Sequence, residues 1–96
     1  MRLVYHPLAA QEVVEAARFY ESRTNGLGER FLKQVDEVMR RLQEHPYQWP
    51  VVDADIRRVM LKRFPFGVYY RIANDTLRVL TIKHHRRHPG YGTDRH

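Results

Sequence analysis

The hydrophobic period of this chain changes once, at His45-Pro46. Before that dipeptide apolar residues recur at three- and four-residue steps, and after it they alternate. The first period belongs to helices and the second to strands. The early part must therefore fold as helix and the later part as sheet, each burying one face against the other. From Leu8 to about Arg23, residues Ala9, Val13, Ala16, Ala17 and Tyr20 mark an amphipathic helix. Pro7 suits its first turn, where a missing N–H costs nothing. Glu12, Glu15 and Glu21 lie largely off the stripe and are expected to be solvated. Thr24-Asn25-Gly26-Leu27-Gly28 reads as a turn. A second helix follows from about Gly28 to Glu44, with Phe31, Val35, Val38 and Leu42 on its stripe. His45-Pro46 ends it, because the residue before proline disfavours helix. Two helices joined by so short a turn make a helical hairpin.

A short strand, Leu3-Val4-Tyr5, precedes the helices. After the aromatic connection Tyr47-Gln48-Trp49-Pro50, expected to cap one end of the core, the chain reads as three strands. Ile56 to Arg63 alternates Val59 and Leu61 against Arg58, Met60 and Lys62. Phe66, Val68, Tyr70 and Ile72 share one face of the next strand, with Tyr69 and Arg71 on the other. Ala73-Asn74-Asp75-Thr76 is a hairpin turn, and Leu77 to His84 is a β-branched strand. The expected fold is α+β, in the order β-α-α-β-β-β. The helical hairpin covers one face of a small, mostly antiparallel sheet, and Arg58, Lys62, Tyr69 and Arg71 stand on the open face. Residues 1–96 form one domain, with 92–96 expected as a frayed tail.

A chain of 96 residues supports one modest core. No run approaches the roughly 18 apolar residues of a membrane span, and the first residues lack the apolar region of a signal peptide. The absence of cysteine excludes disulfides and thiolate chemistry. The expected compartment is the cytoplasm, with no membrane partner. Residues 1–55 carry seven Lys/Arg against nine Asp/Glu, a net of −2, and residues 56–96 carry ten against two, a net of +8. Such segregation marks a face that meets phosphates or an acidic protein, whereas solubility alone needs none.

His84, His85 and His88 are close in sequence, but adjacent strand residues point to opposite faces and no acid or thiol supports them. No metal site or cofactor is expected. The lone serine, Ser22, ends a solvated helix, so a hydrolytic triad is not expected. The acids sit mostly on the helices, away from the open face, and Gly26-Leu27-Gly28 is no phosphate loop. A cationic and aromatic set remains: Arg57, Arg58, Lys62, Arg63, Tyr69, Arg71 and the run from Lys83 to Tyr91. Guanidinium groups hold phosphates bidentately and aromatics stack on bases. Cleavage through a ribose hydroxyl needs only a proton acceptor, a donor and cations, which His85, Arg86, Arg87 and Tyr91 could supply. A solvated basic face for an acidic protein is the plainer alternative.

The element order, together with Leu3-Val4-Tyr5-His6-Pro7, Phe19-Tyr20, Phe31-Leu32, Phe64-Pro65-Phe66-Gly67-Val68-Tyr69-Tyr70-Arg71-Ile72 and His84-His85-Arg86-Arg87-His88-Pro89, resembles the RelE/ParE toxin superfamily. The resemblance implies the toxin of a type II toxin–antitoxin pair, with a cognate antitoxin as partner. Its RelE-like members cut messenger RNA on the ribosome, and its ParE-like members poison DNA gyrase. RelE-type sites carry an arginine where this chain has Gly67. The Phe-Pro-Phe segment and the His-x-x-Arg-x-Pro ending are more similar to the ParE-like, plasmid-stabilisation branch. The resemblance thus implies growth inhibition by binding a gyrase-type topoisomerase, with a metal-independent, ribosome-dependent endoribonuclease as the alternative. In the first case Arg58, Lys62, Tyr69, Arg71 and Lys83 would meet target or antitoxin; in the second His85, Arg86, Arg87 and Tyr91 would be catalytic. The helical hairpin could also carry a homodimer, though no residue demands one.

Overall fold

Pro7 begins the first helix as expected, and His6 caps it: Leu8 N–H donates to His6 Nδ1 at 3.1 Å. The computed structural model describes residues 1–96. Its elements are β1 (Arg2–Tyr5), α1 (Pro7–Arg23), α2 (Leu27–Glu44), β2 (Val51–Asp53), β3 (Ile56–Met60), β4 (Phe66–Ala73) and β5 (Thr76–His84). The hairpin turn between the helices is tighter than expected, because Leu27 already belongs to α2. Gly26 stands at the N-cap with φ +84°, a conformation that suits glycine. It offers no side chain for the cap, and Glu21 serves instead, accepting from Gly26 N–H at 2.9 Å and Gly28 N–H at 3.0 Å. Glu21 is exposed, as expected, and in addition caps a helix N-terminus, where negative charge is favourable. At Gly28 the helices meet backbone to backbone: a Cβ there would lie 2.5 Å from the Ala17 carbonyl oxygen.

The helices bury small residues from α1 (Ala9, Val13, Ala16, Ala17) and larger ones from α2 (Phe31, Val35, Leu42) against Val59, Val68, Tyr70, Leu77, Val79 and Ile82 of the sheet. Burying a side chain the size of Phe31 or Leu42 contributes about 2–3 kcal/mol. Tyr20, Phe31, Phe64 and Phe66 close one end as an aromatic cluster, with ring separations from 4.8 to 6.1 Å. At the opposite end Tyr70 Oη donates to the Pro46 carbonyl at 2.8 Å. Trp49 packs against the core there, as expected of the aromatic connection, while Tyr47 stays exposed.

The sheet runs in the order β1-β5-β4-β3-β2. β1 is parallel to β5 and the other pairings are antiparallel. The α+β architecture and the Asn74-Asp75 hairpin tip, at φ +53° and +59°, agree with the sequence. β2 is an additional edge strand. It has three exposed residues and no apolar alternation, so periodicity could not find it.

The face turned away from the helices is less open than expected. Residues 88–96 cross it, and Ile56 and Leu80 are buried outside the helix-side core. Residues 92–96 are therefore not frayed. Gly92, at φ +78°, lies so close that a Cβ would come within 2.6 Å of Thr81. Arg95 Nη1 donates to Glu12 Oε1 and to the Leu80 carbonyl, both at 3.0 Å.

Candidate functional site

Lys83 organises the far end of the second face. It is 4% exposed, and its ammonium donates to the carbonyls of His88 (3.1 Å), Pro89 (2.7 Å) and Tyr91 (2.9 Å). The Tyr69 ring lies 4.5 Å beneath it. Burial lowers its pKa, opposed by the Glu12 charge and reinforced by Arg95. Lys83 was expected to meet a partner, but all its protons are spent inside the chain. Its role is to fold the segment after β5 into a fixed turn.

That turn displays Arg86 and Arg87. Arg86 N–H donates to His84 Nδ1 at 3.1 Å, and Gly90 N–H donates to His88 Nδ1 at 3.0 Å. The His84 and His85 rings stack at 4.6 Å. Burial, His85 and Arg86 together lower the His84 pKa. Tyr91 is held between the guanidinium groups of Arg87 (4.4 Å) and Arg95 (5.1 Å). Burial alone would lower the Arg95 pKa, but the hydrogen bond and charge of Glu12 outweigh it and hold it above its ordinary value. His85, Arg86, Arg87 and Tyr91 therefore share one turn. Of the two outer members, however, His85 lies with Nδ1 3.3 Å from the Pro65 carbonyl, while Tyr91 leans on Arg87.

Gly67 pairs with Lys83 on one side and Met60 on the other. A Cβ at this position would meet Met60 Sδ at 2.9 Å and Tyr69 Cε1 at 3.1 Å. A side chain there would need the exposed Met60 thioether to swing aside and Tyr69 to give by a few tenths of an ångström. Beside it Arg58 and Tyr69, expected binding residues, line a cleft with Asp53, Pro89 and Thr93. Arg71 lies further along the same face, with Nε and Nη2 donating to Asp55 at 3.0–3.2 Å. The Arg71 hydrogen bond holds the Asp55 carboxyl below its ordinary pKa.

Lys62 does not join Arg58, Tyr69 and Arg71. It lies in the loop after β3 and, with Arg63, faces Arg30, Lys33 and Arg41 of α2 across a groove of about 540 Å³. Val38, Trp49, Val59 and Met60 form its apolar part, and Glu37 is its one acid. Sequence reasoning missed this groove. The steps from Arg30 to Lys33, Glu37 and Arg41 do trace one exposed face of α2, but the opposing wall comes from a loop with no pattern.

No helix is long and apolar enough to cross a membrane. A family model described as the ParE toxin of the type II toxin-antitoxin system, parDE, matches residues 3–89. No curated protein matches the chain. Among solved structures, the fold is similar to a chain from the "Chromosomal ParDE TA system from P. aeruginosa", with a TM-score of 0.66 and 21% identity over 88% of this chain and 95% of that one.

Proposed function

Because this chain belongs to the family of ParE toxins of type II toxin–antitoxin systems, we propose that it stops growth by binding a gyrase-type topoisomerase and that a cognate antitoxin neutralises it. The observation that carries this reading is Gly67 itself, packed beside Met60 and Tyr69, which supplies no cation where an RNA-cutting relative would carry an arginine. Without that cation the turn from His84 to Tyr91 presents charge, not a convergent acid–base pair. Arg58, Tyr69, Arg86 and Arg87 are then contact residues for the target. The antitoxin contributes an acidic, amphipathic segment that folds on binding. The α2 groove suits it, with five cations around an apolar floor.

The alternative, a ribosome-dependent endoribonuclease, draws support from the gathering of Arg86, Arg87 and Tyr91 in one turn. Purified toxin, assayed in parallel, separates the two. Supercoiling by gyrase should fall with added toxin, while messenger RNA on translating ribosomes stays intact. Codon-register cuts with gyrase untouched would reject the proposal. Under the ribonuclease reading, Arg86→Ala/Arg87→Ala/Tyr91→Phe would abolish cutting.

A further inference from the structure

The end of the second face away from the His84–Tyr91 turn gathers three arginines on neighbouring strands. Arg71 of β4 stands directly across from Arg78 of β5, and Arg2 of β1 lies one strand further, opposite Thr76. Residues opposed in such a ladder are about 5 Å apart, and like charges there repel. Two carboxylates offset them in part, Asp55, held by Arg71, and the terminal one at His96, so one positive charge is left over. Arg78 donates to the terminal carboxylate of His96, at 3.3 Å, which also lines the cleft, and Arg2 is exposed. Between the three lies a cleft of about 330 Å³, whose rim adds Asn74 and Thr76.

We propose that this cleft binds the phosphodiester backbone of a nucleic acid. Guanidinium groups match phosphate oxygens bidentately, and the Thr76 hydroxyl and Asn74 amide supply further neutral donors. A bound phosphate would also relieve the repulsion between Arg71 and Arg78. At the other end of β5, eight residues or about 26 Å from Thr76, Arg86 and Arg87 form a second cationic station. A polyanion with a charge every ~1.7 Å of duplex axis meets both. A short acidic peptide lacks that continuity. The inference does not depend on which target the toxin takes.

The test is the binding of a fluorescein-labelled DNA duplex to the full chain, followed by anisotropy between about 50 and 200 mM salt. Arg2→Gln/Arg78→Gln should weaken binding at least about tenfold at low salt and reduce the slope of log K against log salt by about two. Asp55→Asn should act in the opposite sense, freeing Arg71, tightening binding and steepening the slope by up to about one. Damage to the fold cannot produce that gain, so Asp55→Asn decides the matter if the double variant does not fold. Unchanged slopes in both variants overturn the proposal. So does inorganic triphosphate binding the cleft as tightly as the duplex, which assigns it to free polyphosphates. Polyglutamate displacing the duplex as well as unlabelled DNA does would assign it to an acidic protein and overturn it equally.

Discussion

A single carboxylate oxygen, Glu12 Oε1, accepts from the Thr81 hydroxyl at 2.8 Å, the Ile82 N–H at 3.1 Å and the Arg95 guanidinium at 3.0 Å. These groups lie where β5 has outrun its neighbour, since β1 pairs with it only as far as Val79. A bare strand edge invites other strands. Here Glu12 takes the Ile82 N–H, and Arg95 donates to the Leu80 carbonyl, so an ion pair stands in for the missing strand. The side chains of Arg95 and Glu12 are only 12% and 15% exposed. Removing one member of a pair that sheltered costs about 3 kcal/mol. Glu12→Ala should lower the urea midpoint accordingly, and Arg95→Ala should add little on top of it in a double-mutant cycle. Fully additive losses would show that the two side chains act separately. None of this is legible from the helical pattern, in which Glu12 sits beside Val13 off the apolar stripe. Its partner lies 83 residues away.

At the scale of elements, both helices and the longer strands were legible because each repeats a period over many residues. β2 and the segment after His84 have no period to read. Lys83 was misleading for a related reason: on a strand it reads as an outward cation, and only the returning turn encloses it. The enclosure gives a prediction for the element as a whole. Lys83→Met keeps much of the volume but leaves the carbonyls of His88, Pro89 and Tyr91 without their donor, a loss of about 1–3 kcal/mol. Trypsin should then cleave after Arg86 and Arg87 several-fold faster, while the helical circular dichroism is unchanged. Equal cleavage rates in the variant and the parent chain would mean that Gly92 and Arg95 hold the turn without Lys83. The cations of the candidate site were visible in sequence. Their division between the second face and the α2 groove was not, because Lys62 leaves the strand pattern at the loop after Met60.

For the molecule as a whole, the strand order puts β4 and β5 inside the sheet and β2 at its edge. Val68, Tyr70, Leu77, Val79 and Leu80 are fully buried, while all of β2 is exposed. Amide exchange should follow this gradient, slowest along β4 and β5 and orders of magnitude faster at Val51 and Val52. Protection of β2 equal to that of β4 would contradict it. The parallel pairing of β1 with β5 has a consequence for how the protein comes into being. Residues 2–5 are made first, yet their partners are residues 76–79. The helices of the first half can coil as they emerge, but their apolar faces have nothing to lie on until most of the sheet has been translated. A half-made chain therefore carries neither the second face nor the turn after β5.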